Sequence, residues 1–245
     1  MKSLREHQRD WEDLGRVDPL WAVLTAPSRR HGAWDPAEFF ASGAHEIAEL
    51  MKTADELDVP AGHEAALDFG CGVGRLTRPM TEYFNSCVGV DISETMVAQA
   101  RAWHRDCPGC RFEVNTSGHL LAFADACFDL VYSRYVLQHL PSADHLRNYV
   151  REFLRLLRPQ GLAAFQIPRR IPLVHRVQPG RRIYRLLRLL GLSEELLLER
   201  LELNPMRMGF LAGGEVTRIV AEAGGRVIKV DGKSDLETTY YATRG

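Results

Sequence analysis

The sequence predicts an α/β fold built on a doubly wound, mostly parallel sheet of seven strands, and three observations carry that prediction. Short apolar segments alternate with helical patterns from residue 65 to residue 167, which is typical of parallel strands joined by helices. Three glycines lie directly after the first apolar segment, where such folds turn from a strand into a helix. Two further strand-like segments end the sequence, and we expect them to pair antiparallel at the edge of the sheet.

Length and composition indicate one globular domain. The 245 residues are 45% hydrophobic and 26% charged, with a formal net charge of −1, which is typical of a soluble protein. No apolar run approaches the roughly 20 residues of a membrane span, and the charged start "MKSLREHQRDWEDLG" is unlike a secretory signal. We therefore expect a single cytoplasmic domain over residues 1–245.

The five cysteines favour reduced thiols and no metal site. Cys71, Cys87 and Cys127 lie in or beside strand-like segments, where a free thiol is usually a small buried hydrophobic group. Cys107 and Cys110 have the spacing of a redox motif or a zinc knuckle. No second cysteine pair or nearby histidine pair completes a tetrahedral site, so no metal is predicted.

Residues 1–60 are predicted to form a helical cap. In "DPAEFFASGAHEIAELMKTADEL" Asp35 is a suitable N-cap and Pro36 suits the first helical position. The apolar residues that follow recur three or four positions apart, as in an amphipathic helix. Three of the four tryptophans, Trp11, Trp21 and Trp34, lie in this cap.

The alternation from residue 65 defines a core over residues 63–168. Its predicted strands are "AALDFG", "SCVGVDIS", "CRFEVNT", the start of "FDLVYSRYVLQHL", and "GLAAFQIP". Its predicted helices are "RLTRPMTEYF", "ETMVAQARAWHR" and "ADHLRNYVREFLRLLRP", the last ending at Pro159 and Gly161.

The alternation stops after the fifth strand. Residues 169–205 are predicted to be a helical insertion that acts as a lid, with helices in "RRIYRLLRLLG" and "SEELLLERLEL". Residues 206–245 then supply a closing helix in "GGEVTRIVAEAGG" and the edge strands "RVIKVDG" and "TTYYATRG".

The spacing in "LDFGCGVGRLT" limits which ligand the glycine loop can take. Gly70, Gly72 and Gly74 give G-x-G-x-G rather than G-x-G-x-x-G, and no Lys-Ser/Thr pair follows, which excludes a P-loop. A dinucleotide stays open, because Asp91 after the second strand would suit a ribose. Asp68, however, would repel a pyrophosphate and attract an ammonium group. A ligand with an amino-acid end, a ribose and no phosphate, such as S-adenosylmethionine (SAM), fits best.

Four segments in this order resemble the motifs of the class I SAM-dependent methyltransferases over about residues 63–168. They are "LDFGCGVGRLT", "VGVDIS", "FDLVYSRYVLQHL" and "LRPQGLAAF". The resemblance implies a Rossmann-like fold, SAM as the methyl donor and S-adenosylhomocysteine (SAH) as the product.

The resemblance also implies cofactor contacts. Asp68 would contact the methionine ammonium, directly or through water, and Asp91 the ribose hydroxyls. Ile92 would pack on the adenine with Met96 nearby, although ordinary core packing explains both residues equally well. The remaining implied contacts are Phe69, Gly70, Cys71, Gly72 and Gly74 in the loop, and Ser133 and Arg134 after the fourth strand.

One departure from the family pattern concerns the adenine. The family often has an Asp after the third strand that holds the adenine amino group, whereas this chain has "NTSGHLLAF". Ser117 and Gly118 stand at the corresponding positions. A serine hydroxyl or the Gly118 amide is expected to replace the charged contact.

Candidate acceptor residues follow the fourth strand, because ligands of α/β sheets bind beyond the carboxyl ends of the strands. His139 is a candidate general base, with bonding to nearby backbone as the alternative, and Tyr135 is a second candidate catalytic residue. Gln138 is expected in the acceptor pocket. Trp21 and Trp34 either line this pocket or anchor the cap to the core.

A basic stretch between Arg147 and Arg188 has eleven arginines and one acid, Glu152. Three interpretations stay open: a solvated lid, a site for an anionic acceptor or a membrane surface, and an RNA-binding face. No RNA-binding module accompanies the arginines, so nucleic acid ranks last.

The sequence thus predicts methyl transfer from SAM to an oxygen or nitrogen atom of a small molecule, which could be an anion. A monomer or a homodimer is expected. The alternatives are an RNA methyltransferase that uses the basic stretch, and a SAM-binding module without catalysis.

Overall fold

The computed structural model describes residues 4–232 and 234–245. Seven strands form one sheet: β1 (Ala65–Phe69), β2 (Ser86–Asp91), β3 (Cys110–Val114), β4 (Phe128–Ser133), β5 (Leu157–Gln166), β6 (Gly225–Asp231) and β7 (Thr239–Arg244). Their order is β3-β2-β1-β4-β5-β7-β6. The first five strands are parallel, and β7 runs antiparallel to both β5 and β6. The predicted doubly wound α/β sheet with an antiparallel pair at its edge is confirmed, and β7 lies one place in from that edge.

Nine α-helices surround the sheet in the described part of the chain. They are α1 (Leu4–Val17), α2 (Pro19–Val23), α3 (Pro36–Glu56), α4 (Thr77–Met80), α5 (Glu94–Trp103), α6 (Ala143–Leu156), α7 (Leu173–Val177), α8 (Pro179–Leu189) and α9 (Gly213–Glu222). The N-cap predicted for α3 is present, since the Asp35 carboxylate accepts from the Glu38 amide at 2.9 Å. Ser93 caps α5 and Ser142 caps α6 in the same way.

Three predicted element boundaries were wrong. α6 ends at Leu156, because Leu157 is already extended and pairs with Phe128; Pro159 and Gly161 therefore lie inside β5, where the register of the ladder shifts. The helix predicted after the glycine loop shrinks to the single turn α4. The second helix of the insertion covers only Leu196–Arg200, and α7 precedes α8.

The sheet is buried on both faces, which explains why its strands are almost continuously apolar. Phe69 and Val131 face the layer of α6 and α9, where Phe69 meets Phe153 with ring centroids 5.2 Å apart. Ala66 of β1 and Leu130 of β4 face the opposite layer, which contains α3 and α4. This packing leaves the carboxyl ends of β1, β2 and β4 at one edge of the core.

The cap and the insertion pack on each other. Trp21 of α2 and Tyr184 of α8 belong to one apolar cluster. Arg181 of α8 forms an ion pair with Glu6 of α1 at 2.8 Å, and Arg188 pairs with Asp13 at 3.4 Å. The insertion is thereby attached to the first helix of the cap. Over the residues the structure describes, no helix is both long enough and apolar enough to cross a membrane.

Candidate cofactor cleft and acceptor cavity

The glycine loop is needed by the protein's own packing. Gly70, Gly72 and Gly74 all have positive φ values, of 81°, 52° and 83°, which favour glycine. A Cβ on Gly70 would collide with Val136, and one on Gly72 would lie 2.6 Å from Val23 Cγ2. The loop is therefore shaped to let α2 and the segment after β4 approach it closely.

Asp91 holds this loop against the end of β2. Its Oδ2 accepts from the Gly72 amide and its Oδ1 from the Ser93 amide, each at 2.9 Å. Burial raises the pKa of Asp91, although the backbone amides act in the opposite direction. A carboxylate has about four acceptor positions, so the side chain retains capacity for two hydroxyl donors.

A cleft opens beside Asp91, above the carboxyl ends of the parallel strands. Its wall is mostly apolar, with one acid, one cation and one side-chain amide. The lining residues are Leu4, His7, Trp11, Ala22, Val23, Phe69, Gly70, Gly72, Val90, Asp91, Ile92, Met96, Asn115, Arg134, Tyr135, Val136, Leu140 and Tyr149.

The predicted cofactor residues divide into two groups. Those in the lining are Phe69, Gly70, Gly72, Asp91, Ile92, Met96 and Arg134. Those outside it are Asp68, Cys71, Gly74, Ser117, Gly118 and Ser133. Ser133 instead donates from its hydroxyl to the Phe69 carbonyl at 3.0 Å, and so ties β4 to the loop.

Asp68 lies beneath the loop, on the side that faces α3. Its carboxylate is buried and accepts from the Thr77 hydroxyl at 2.6 Å. Burial raises the pKa of Asp68 to about 7, against the opposing effect of Thr77. Its predicted contact with an ammonium group stays a prediction, for which water is the more suitable intermediary.

Asn115 lines the cleft, whereas Ser117 and Gly118 lie outside its lining, and their predicted contact with adenine stays a prediction. Asn115 directly follows β3, and its backbone N–H donates to the Asp91 carbonyl at 2.8 Å. The Ser117 hydroxyl instead donates to the His119 carbonyl at 2.6 Å. The signal for Asn115 was available, because it is the first polar side chain past the carboxyl end of the third strand.

Arg134 belongs to a charged network that the sequence did not reveal. Its guanidinium lies 3.6 Å from Glu46 Oε1 of α3 and 4.9 Å from the centre of the Tyr135 ring. Glu46 also pairs with the buried Arg75 at 2.9 Å and accepts from the Tyr132 hydroxyl at 3.0 Å. These groups are far apart in sequence, so no local pattern brings them together.

The helix α1 forms one wall of the cleft. Leu4, His7 and Trp11 of this helix line the cleft, and their spacing of three and four residues is that of one helical face. Glu12 fixes the helix in place, because its carboxylate accepts from the Thr95 amide at 3.1 Å and from the Glu94 amide. It thereby caps α5 in trans, next to the end of β2.

A second, more open cavity adjoins the cleft. The two share Ala22, Val23 and Tyr135 in their walls. Of the predicted acceptor residues, Trp34, Gln138, His139 and Tyr135 line this cavity. Trp21 does not, since its buried ring lies under the Arg30 guanidinium, 4.5 Å away.

Tyr135 lies at the junction of the cleft and the cavity in a strained conformation. Its φ is +60°, a value uncommon for residues other than glycine. Its amide donates to the Gln166 side chain at the end of β5, at 3.2 Å. Strained backbone of this kind is typical of functional sites.

His139 is held by both ring nitrogens. Its Nδ1 lies 2.5 Å from the Arg207 carbonyl, and its Nε2 lies 3.1 Å from the Gln138 amide nitrogen. The carbonyl requires Nδ1 to carry the proton, so Nε2 accepts from Gln138. Burial lowers the pKa of His139 to about 4, against the effect of the Arg207 carbonyl. The ring is thus a weak base, and its role as general base stays a prediction.

The cysteine pair lies at the opposite end of the sheet. The Sγ atoms of Cys107 and Cys110, at the start of β3, are 2.8 Å apart, and both are free thiols. Within the described residues, no group of three or more His, Cys, Asp or Glu side chains is arranged to hold a metal ion.

Comparison with known proteins shows which proteins this geometry resembles. A family model described as "Methyltransferase domain" matches residues 67–165, which contain the glycine loop, Asp91, β2 to β4 and most of β1 and β5. Over these residues the chain is similar to methyltransferases, in agreement with the resemblance that the sequence motifs indicate.

Two curated relatives and one solved structure illustrate the similarity. An uncharacterized methyltransferase, YcgJ, of Bacillus subtilis is 32% identical over 124 residues, which are 50% of this chain and 46% of the relative. A trans-aconitate 2-methyltransferase of Deinococcus radiodurans is 38% identical over 142 residues, or 55% of this chain and 49% of the relative. The chain spans about half the length of these relatives.

The solved structure is that of magnesium protoporphyrin IX methyltransferase from Synechocystis PCC 6803 with bound SAH. It superposes with a TM-score of 0.62 at 15% identity and covers 98% of this chain and 99% of that chain. At this identity the likeness concerns the fold.

Proposed function

We propose that the protein transfers the methyl group of SAM to an oxygen or nitrogen atom of a small molecule held in the second cavity. The observation that carries the proposal is the junction at Tyr135 and Val23, where the cleft and the cavity share a wall. A methyl group presented at this junction would face the cavity. The acceptor would then reach the methyl carbon without leaving the enclosure formed by the cap and the insertion.

The cleft offers a partner for each polar part of SAM. Asp91 would accept hydrogen bonds from the ribose hydroxyls. The side-chain amide of Asn115 would form a hydrogen bond with the adenine. Arg134, the cation of the lining, would pair with the methionine carboxylate. Ile92 and Leu140 supply apolar surface for the adenine ring. The donor and acceptor set therefore matches a ligand with two hydroxyls, an amino-acid end and no phosphate.

Catalysis would rest mainly on positioning. SAM supplies a methyl carbon already activated by a positively charged sulfur. The protein would hold the acceptor in line with that carbon, and such positioning contributes roughly 7–11 kcal/mol in favourable cases. Tyr135, fixed by Gln166 and Arg134, is the residue best placed to orient both ligands.

The names of the relatives support a small acceptor. Trans-aconitate, which the Deinococcus radiodurans relative is named for, is a small carboxylic acid. The cavity of this chain, whose wall includes Trp34, Gln138 and Gln166, lies between the cap, the core and the insertion, which supports an acceptor of that size.

The arrangement of the basic stretch gives little support to an RNA acceptor. Seven of its eleven arginines have a carboxylate partner within 4.0 Å: Arg147, Arg151, Arg155, Arg158, Arg181, Arg185 and Arg188. Paired guanidinium groups offer little free charge to a phosphate backbone. The stretch is better explained as a set of ion pairs that attach helices to each other.

Incubation with methyl-labelled SAM and a panel of small carboxylic acids, phenols and amines tests the proposal. We expect label in at least one small product, and less label with Tyr135→Ala. Binding of SAH without turnover on any acceptor would instead favour a module without catalysis. Label that appears only in added tRNA, with binding that falls steeply with salt, would contradict the proposal.

A further inference from the structure

The second cavity contains a buried cation with free hydrogen-bond donors. Arg207, in the segment between the insertion and α9, lines the cavity and is only 4% exposed. Its Nη2 donates to Glu6 of α1 at 2.6 Å. Its Nε and Nη1 are buried and have no hydrogen-bond partner among the residues the structure describes. Buried donors of a charged group are rarely left unpaired in proteins, so these two donors need an explanation.

Arginines outnumber carboxylates around Arg207. Its partner Glu6 also pairs with two other arginines, Arg181 at 2.8 Å and Arg185 at 3.1 Å. Asp10 pairs with Arg181 at 3.3 Å and acts on Arg207 only through its charge. Burial and the Arg181 guanidinium lower the pKa of Arg207, which agrees with a site that lacks one anion. Nε and Nη1 lie on different edges of the guanidinium, so each can donate one charge-assisted hydrogen bond to a carboxylate oxygen.

The cavity also lacks a strong base. His139, the buried titratable base of its wall, has both ring nitrogens engaged. His175 and Glu237, which also line the cavity, are exposed. A phenol or an ammonium group would need to lose a proton before attack, whereas a carboxylic acid is already ionised at neutral pH.

We propose that the acceptor is a small carboxylate anion, that Arg207 binds a carboxylate of it, and that the methyl group is transferred to a carboxylate oxygen. This inference rests on the function proposed above. The acceptor oxygen forms a bond to the methyl carbon while the carbon–sulfur bond breaks, and the electron pair of that bond stays on sulfur. The negative charge of the carboxylate and the positive charge of the sulfonium are both neutralised. The products are a methyl ester and SAH, and no proton moves.

The first test measures anion binding. SAH-loaded protein is melted with increasing succinate or citrate, and with the uncharged analogue succinamide. We expect the carboxylates to raise the Tm of the wild type and succinamide to have no effect. Arg207→Met should lose this response, and Arg207→Lys should retain a weaker one. Arg185→Gln is the matched control, since Arg185 pairs with the same Glu6 but does not line the cavity. A carboxylate response that is absent in the wild type, or unchanged in Arg207→Met, would overturn the inference.

The second test identifies the methylated atom. Methyl-labelled SAM is offered with matched carboxylic acids, phenols and amines, and products are treated with alkali, which releases labelled methanol only from esters. We expect alkali-labile label from a carboxylic acid, and at least a tenfold higher KM in Arg207→Lys with a smaller change in kcat. Label confined to phenols or amines would overturn the inference and leave the proposed function intact. Failure to bind SAH would instead overturn the proposed function itself.

Discussion

Gly72 shows how a single position serves both the loop and the cap. Its φ of +52° and its contact with Val23 mean that a side chain there is opposed by backbone strain and by packing. Gly32 has a φ of +69° with open space around it. A side chain at this position would therefore cause backbone strain without a packing clash.

We expect Gly32→Ala to destabilise the fold by about 1–2 kcal/mol, the cost of the left-handed conformation. Gly72→Ala should cost more and should also weaken SAH binding, because α2 must shift. Denaturant unfolding and calorimetry measure the two effects. Adding Val23→Ala to Gly72→Ala should restore part of the loss, and equal stability of the two glycine variants would contradict the packing argument.

His139 is the residue for which pH dependence is most informative. Burial lowers its pKa to about 4, so the ring binds a proton only below that pH and is neutral from about pH 5 upward. The kcat/KM of wild type and His139→Asn should therefore differ by a constant factor between pH 6 and pH 9.

The control for this experiment is His63→Asn, since His63 is exposed and lies outside both cavities. If the kcat/KM of the wild type rises with pH near neutrality and that of His139→Asn does not, His139 acts as a general base. It would also count against a carboxylate acceptor, which needs no base.

Among the helices, α1 contributes the most side chains to the wall of the cleft. It supplies Leu4, His7 and Trp11 to the wall, is anchored through Glu12 to α5, and is paired with α8 through Asp13. One wall of the cleft is therefore a helix that is also attached to the insertion.

Trp11→Ala should weaken SAH binding by roughly tenfold, or about 1.4 kcal/mol, because apolar surface is removed from the cleft wall. The control is Trp103→Ala on α5, whose ring is 45% exposed and packs on Phe40 away from the cleft. Calorimetric titration with SAH measures both variants. Equal losses in the two variants would mean that α1 does not cover the bound cofactor.

Elements whose signals are local were predictable from the sequence. The N-cap at Asp35, the strand endings at Phe69 and Asp91, and the closing antiparallel pair all follow from neighbouring residues. The end of α6 could not be predicted in this way, because Leu157 leaves the helix to pair with Phe128, 29 positions earlier. Tertiary pairing overrode the helical pattern there.

Over the whole molecule, the residues that line the cleft were predictable where they lie at or directly after the end of a strand. Asp91, Ile92, Arg134 and Tyr135 were predicted in this way, and all four line the cleft. The walls made by α1, and the pairing of Arg207 with Glu6, depend on contacts between residues about 200 positions apart. Such contacts leave no periodic or spacing signal in a single sequence. The ion pairs of the basic stretch could not be predicted for the same reason, since its partners Glu6, Asp13 and Glu215 lie outside it.

The central claim is that the cleft beside Asp91 binds the methyl donor. Calorimetric titration of SAH into the wild type, Asp91→Ala and the exposed-surface control Asp106→Ala tests it most directly, with the Tm of each variant recorded. Loss of hydrogen bonds to a charged group costs about 1.5–3 kcal/mol, so we predict one site in the wild type and binding at least tenfold weaker in Asp91→Ala. Asp106→Ala should bind as the wild type does. Absence of SAH binding, or equal affinity in a folded Asp91→Ala variant, would contradict the account.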